Sequence, residues 1–326
     1  MEAGAVYGKD VIWTLAETYN QLYLRPGEEG EAEYREVVLR GEEPLKRSLS
    51  HFITDDRDRM SFEETPAGSV RVITLYNRRD FETFLQIMAE RCKRTEIPAS
   101  QGASYLGGVI NWRRIEAHER EFYRKELEKG NTEPDWDSEF ERFTSDGNNF
   151  KDALIILSVG PYSGVSADRA GLPYEEWIER SDVIRRYHEC THFICRRLFP
   201  EDKDPVWDEV VADCTGVYAA FGRLLPEMVE LFLGIGTKDG RPCYTGGRLE
   251  NYLDGIKEGA WPGAVNSDAG EMPAQERLDL LSVRIHEILK EFEVISGEEP
   301  GVPVYELMLK LEKQHGNMIK GNRMNY

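Results

Sequence analysis

Apolar residues recur along this chain at two spacings, about 3.6 residues and two residues, with a few runs that are apolar throughout. Residues 11–24 follow the helical spacing and stop before Pro26-Gly27, which predicts an amphipathic helix. Val70, Val72, Ile73 and Leu75 predict a strand over 70–75. Residues 79–93 predict a helix with Phe81, Phe84, Leu85 and Met88 as its stripe. Residues 100–108 are rich in glycine and serine and predict a loop entering a short strand at Val109, Ile110, Asn111 and Trp112. A charged helix is expected over 116–129. The stretch 130–150 holds Gly130, Pro134, Gly147 and several Asn and Asp, and predicts a linker.

The second half changes character. Residues 153–159 form a strongly apolar strand that stops at Gly160-Pro161. Ser181 is placed to cap a helix from about 182 to 198, with Pro200 beyond its end. Asp204-Pro205 then opens another helix, with proline at its first position. Trp207, Val210, Val211, Cys214, Val217, Tyr218 and Phe221 form its apolar side. Helices are expected over 225–234, 272–296 and 303–315, separated by glycine-rich loops at 235–248 and 255–271. The expected class is α+β, with a mixed α/β region over 1–150 and a mainly helical region over 151–326. One continuous domain is compatible with the same pattern.

Composition adds a core and a sign. Of 326 residues 40% are hydrophobic, with 15 Tyr, 13 Phe and 6 Trp, enough for a sizeable interior. The net charge of −19 opposes binding to a phosphate backbone. Arg78-Arg79 and Arg113-Arg114 are too short to form a basic patch, so no nucleic-acid partner is expected. No apolar run approaches the roughly 20 residues of a membrane helix, and the N-terminal stretch, broken by Lys9-Asp10, does not read as a signal peptide. Five cysteines, an odd number without a CxxC pair, suit reduced thiols and a cytoplasmic location.

The chemistry concentrates in five residues, His188-Glu189-Cys190-Thr191-His192, an HExxH motif. Histidines four apart lie one turn from each other on one helix face, so both imidazoles can reach one cation. A glutamate after the first histidine can hydrogen-bond a water at that cation. A third protein ligand leaves the fourth position of a tetrahedral zinc open, as catalysis needs. Seventeen positions after His192 comes Glu209, and four further on Asp213, on one face of the next helix. Glu209 can ligate the metal, and Asp213 can accept the N–H of a ligand histidine and fix its tautomer. Cys195 shares the face of His192 and is a weaker alternative ligand. Cys190 points away, and His51, His118 and His315 stand alone.

HExxH followed by Glu209-Val210-Val211-Ala212-Asp213 resembles the gluzincin branch of zinc metallopeptidases, whose pattern is HExxH on one helix and ExxxD on the next. The resemblance covers 181–222. It extends to the strand at 153–159, because gluzincins place a substrate-binding edge strand before the motif helix. It implies a zincin-like fold and a Zn2+ cofactor. His188, His192 and Glu209 would be the ligands, Glu189 the general base, and Asp213 the partner of a ligand histidine. Gluzincins supply a Tyr or His from the downstream helices to the developing oxyanion, and His286 and Tyr252 are the candidates here. Tyr244, Arg248 and Asn251 lie in a glycine-rich stretch and could clamp a substrate carboxylate or carbonyl. Residues 101–108, Asn111 and Trp112 could line the cleft. The partner expected is a peptide or protein substrate, added along the strand at 153–159.

Three rivals stand beside this reading. One is a zinc hydrolase of a non-peptide amide. Another is a catalytically silent relative that binds a peptide or partner, which would have no use for Glu189. The third is a di-iron carboxylate protein, since Glu189 and His192 also form an ExxH pair. That centre wants a second ExxH on another helix, and the reading sets it aside for want of one.

Overall fold

The computed structural model describes residues 5–201, 204–255, 273–298 and 301–322. The chain forms two compact units, one of residues 1–63 and 69–159, the other of residues 64–68 and 160–326. The break falls at 159/160, not at the expected 150/151, because the apolar strand expected to lead the helical region is an interior strand of the first unit's sheet.

The first unit opens with β1 (Val6–Tyr7), α1 (Asp10–Thr18) and a 3-10 turn (Asn20–Tyr23). Next come α2 (Glu28–Tyr34), which runs on into a π-helical turn (Arg35–Leu39), then β2 (Arg59–Thr65), β3 (Gly68–Leu75) and α3 (Arg78–Met88). It closes with β4 (Ala103–Ile110), α4 (Trp112–Glu128), α5 (Trp136–Thr144) and β5 (Lys151–Ser158). The sheet order is β1-β2-β3-β5-β4. β5 runs parallel to β3, with Ile156 opposite Ile73, and antiparallel to β4, with Ile155 opposite Tyr105. Leu154, Ile155, Ile156 and Leu157 are all fully buried, which is why this stretch of β5 is continuously apolar rather than alternating. Val11, Ile12 and Leu15 of α1 and Phe81, Phe84 and Leu85 of α3 pack with Ile73, Leu75, Leu154 and Ile156 in one core.

Three expectations change here. β5 is paired along both sides, so its backbone groups are already used and a peptide cannot add to it. The expected loop at 100–108 belongs largely to β4. Its glycines mark a bulge, where the register slips between Gly107 and Val109 and Gly108 takes φ 77°. The expected linker at 130–150 contains α5, capped by Asp135, whose carboxylate accepts the Ser138 amide at 3.1 Å. Trp136 packs on Phe122, and Phe143 stacks on His118 at 3.9 Å, so His118 is a packing residue. Asn111 and Trp112 are likewise engaged within this unit, with Asp152 and the Val38 carbonyl.

The second unit is mainly helical. A 3-10 turn (Tyr162–Gly164) and α6 (Ala167–Ala170) precede the long α7 (Tyr174–Leu198). Then come α8 (Pro205–Phe221), α9 (Pro226–Leu233), a hairpin of β6 (Ile235–Lys238) and β7 (Arg241–Tyr244), a 3-10 segment (Arg248–Gly255), α10 (Ala274–Glu298) and α11 (Val304–Asn322). α7 begins after Pro173, so Ser181 lies inside it, buried, and is not a cap. Asp204 does cap α8, accepting the amides of Val206 and Trp207, both at 3.1 Å. The expected glycine-rich loop at 235–248 holds the hairpin, whose turn residues Asp239 and Gly240 both have positive φ, as a tight two-residue connection requires. The loop expected at 255–271 lies almost wholly outside the described residues. Trp177, Ile184, Phe193 and Ile194 of α7 and Val210, Val211, Cys214 and Val217 of α8 are all fully buried. Among the described residues, no helix is long and apolar enough to cross a membrane.

Candidate metal centre

α7 and α8 carry the chemistry, and their close approach begins with a missing side chain. A Cβ on Gly216 of α8 would fall 2.7 Å from the Ile184 carbonyl oxygen of α7. Only glycine lets the two backbones come this near. One turn beyond Ile184 stands His188, and three residues before Gly216 stands Asp213. His188 Nδ1 and Asp213 Oδ1 are 2.9 Å apart.

His188, His192 and Glu209 converge. The two histidine Nε2 atoms are 3.0 Å apart, His188 Nε2 lies 3.5 Å from Glu209 Oε2, and His192 Nε2 lies 3.3 Å from Glu209 Oε1. A tetrahedral zinc with bonds of about 2.0–2.1 Å needs ligand atoms about 3.3 Å from one another. The triangle fits that requirement. Glu209 Oε2 is also buried without a hydrogen-bond partner; the Arg248 guanidinium stands in ion-pair range at 3.6 Å, and a closer cation would complete its satisfaction. Among the described residues, this is the cluster of His, Cys, Asp and Glu groups able to hold a metal. Cys195, the alternative ligand, is outside it. Glu189, buried, follows His188 on α7, and its charge acts on His192.

A ring of polar groups surrounds the triangle. Asp213, fully buried, accepts the Tyr162 hydroxyl at 2.6 Å and forms an ion pair through Oδ2 with Arg248 Nη2. Arg248 Nη1 lies 3.6 Å from Glu209 Oε2. The Tyr252 hydroxyl hydrogen-bonds Glu209. Burial alone would raise the Asp213 carboxyl, but the Arg248 charge and the His188 hydrogen bond hold it below its ordinary value. Glu209 is likewise depressed against burial, by the His192 hydrogen bond and the charges of both histidines and Arg248. Burial disfavours the His192 cation, yet the Glu209 hydrogen bond and charge outweigh it and raise this imidazole to about 9. Tyr162 and Tyr252 are pushed up, chiefly by burial, so both remain proton donors.

The structure thus brings together His188, Glu189, His192, Glu209, Asp213, Arg248 and Tyr252 of the residues singled out in the sequence. Arg248 arrives in a different role, because its guanidinium is paired with Asp213 and Glu209 rather than left open for a substrate carboxylate. His286 sits on α10 in an ion pair with Glu230 of α9, which takes up its Nδ1, and it joins no contact of the cluster. Tyr244 turns onto its own loop, its hydroxyl meeting the Gly247 carbonyl at 2.8 Å, while Asn251 is exposed to solvent. The di-iron reading also needs correction. The chain does contain another ExxH pair, Glu312 and His315 on α11. That reading falls on position instead: Glu312 accepts from Trp207 Nε1 at 3.2 Å and is outside the cluster, and the His315 side chain lies outside the described residues.

Two residues of the site carry weak sequence signals. Tyr162 follows Gly160-Pro161, which reads only as the end of a strand. Gly216 interrupts an apolar helix, and a lone glycine there commonly marks close packing. No curated protein and no solved structure matches the chain. A model of a family of unknown function, DUF7005, matches residues 8–261, which is most of the chain, and the chain belongs to that family.

Proposed function

We propose that this chain is a zinc-dependent hydrolase of gluzincin type, acting as a metallopeptidase on peptide or protein substrates. The observation that carries the reading is the triangle of His188 Nε2, His192 Nε2 and the Glu209 carboxylate, with edges of 3.0–3.5 Å and a buried glutamate next to its first member. The ligand pair on α7 and the carboxylate pair on α8 support a zincin-like arrangement of this unit. Five free cysteines, four of them buried, support a reducing, cytoplasmic setting, and the charge of −19 argues against nucleic acid as a partner.

Bound at the triangle, zinc would supply Lewis acidity, acidifying water and polarising a carbonyl oxygen. His188 would bind through Nε2 while its Nδ1–H is held by Asp213, which fixes ring orientation and tautomer. Glu189 would take a proton from the attacking water on its carboxylate and deliver it to the leaving nitrogen. Tyr252, a phenol kept protonated by burial and hydrogen-bonded to Glu209, would be the donor for charge developing on the carbonyl oxygen.

The test is the metal content of the purified protein by elemental mass spectrometry, beside a His188→Ala/His192→Ala variant. About one zinc per chain in the wild type and none in the variant is expected. Glu189→Gln should retain the metal and lose about 10²–10⁴-fold in turnover of a peptide library. No metal in the zinc-supplied wild type, or full turnover by Glu189→Gln, would overturn the reading.

A further inference from the structure

We infer that Tyr162 is a positioning residue for the metal centre: through Asp213 it locks His188 in the tautomer that presents Nε2 to the ion. The inference rests on the metal reading above. It starts from three atoms that are mutually within hydrogen-bond reach. The Tyr162 hydroxyl oxygen lies 2.6 Å from Asp213 Oδ1 and 2.9 Å from His188 Nδ1, and those two lie 2.9 Å apart. One proton on the phenol and one on Nδ1 satisfy all three contacts. Tyr162 donates to Asp213, and Nδ1–H donates to both oxygens. Moving the proton from Nδ1 to Nε2 would leave a nitrogen lone pair facing a carboxylate oxygen at 2.9 Å, which is repulsive. The triad therefore holds hydrogen on Nδ1 and leaves the Nε2 lone pair for the ion.

The hydroxyl is delivered by the helix that bears the histidines. The Tyr162 amide donates to Ser181 Oγ at 3.0 Å, and Arg185 donates to the Gly160 and Pro161 carbonyls, both at 2.6 Å. Ser181, Arg185, His188 and His192 are spaced four, three and four apart, one stripe along α7. The stripe grips the 160–162 segment with its first half and offers ligands with its second. On the other side the Tyr162 ring meets Phe232 edge-on at 4.8 Å. Tyr162→Phe keeps this packing and removes only the hydroxyl.

The experiment is a double-mutant cycle in zinc affinity, read by competition with a chromogenic chelator, on wild type, Tyr162→Phe, Asp213→Asn and the double variant. Tyr162→Phe is expected to weaken zinc about 10–100-fold, the range for groups that orient a ligand. In the Asp213→Asn background it should cost clearly less than in the wild type, because Tyr162 acts chiefly through that carboxylate. The visible spectrum of the cobalt-loaded protein should change with Tyr162→Phe, which a purely structural role would not produce. Wild type and Tyr162→Phe binding zinc within twofold, or fully additive losses, would overturn this inference and leave the metal reading standing. A wild type that binds no zinc would overturn both. If Tyr162→Phe fails to fold, Ser181→Ala, which releases the Tyr162 amide, must weaken zinc in the same direction or the inference falls.

Discussion

Gly216→Ala separates the spacing of the helices from the identity of the ligands. The added Cβ would meet the Ile184 carbonyl oxygen at 2.7 Å and Ile184 Cγ2 at 3.0 Å. The side-chain contact can relax, but the carbonyl belongs to the α7 backbone and cannot swing away. An ordinary contact begins at 3.4 Å, so the helices must part by about 0.7 Å at this point. His188 is one turn from Ile184 and Asp213 one turn from Gly216, so most of that displacement reaches the pair. Their 2.9 Å hydrogen bond would stretch to about 3.6 Å, beyond useful range. Two energies then compete. Overpacking costs about 1–3 kcal/mol, while replacing a helical glycine by alanine returns about 1 kcal/mol. Net stability should fall only modestly, whereas zinc affinity should fall about 10–100-fold through the lost orientation of His188. Urea unfolding of the chelator-treated protein measures the first, and chelator competition the second. If Gly216→Ala bound zinc within twofold of wild type, the argument that this close approach sets the site would be refuted.

Three further outcomes are expected. With His192 raised to about 9 from an ordinary 6.5, its ion pair with Glu209 stabilises the metal-free protein fully below about pH 6.5 and is lost as pH rises through 9. Melting temperatures of chelator-treated protein should therefore fall across that window while those of zinc-loaded protein do not, and a flat metal-free profile would contradict the pairing. Arg248→Met strands two buried carboxylates, so metal-free stability should drop by about 3–5 kcal/mol in denaturant titration, less when zinc is present, and an equal loss in both states would show that zinc does not share their charge. His286→Ala removes a half-buried pair with Glu230 and should cost at most about 1 kcal/mol with zinc affinity and turnover unchanged, whereas a hundredfold fall in turnover would return His286 to the reaction.

What could be read in the sequence was what depends on short spacing. HExxH fixes two imidazoles on one face through helix geometry alone, and Asp204-Pro205 announces α8 through its cap, so His188, His192, Glu209 and Asp213 were all legible. Misreadings arose where tertiary context overrides local chemistry. Glycines at 107 and 108 read as loop because a bulge in a strand uses the same residue. Ser181 read as a cap because a buried serine accepting a backbone amide from elsewhere has no local signature. β5 read as an edge because apolarity reports burial of both faces but not which strands flank it. Tyr162 was invisible for a related reason: its role depends on three elements distant in sequence.

The charge of the site gives these placements a common logic. Glu189, Glu209 and Asp213 bring three carboxylates into a largely buried region, and Arg248 returns one positive charge. With both histidines neutral the balance is −2, which is expensive away from water. Without a metal, the centre reduces it by holding a proton on His192, and that is the physical content of the raised imidazole. A divalent cation at the triangle would bring the balance to zero and free His192 to ligate, so metal uptake at neutral pH should expel about one proton. Calorimetry in buffers of different ionisation enthalpy counts that proton directly. Zinc uptake with no proton released would mean that His192 is already neutral, and the electrostatic reading of the site would have to be rebuilt around Arg248 alone.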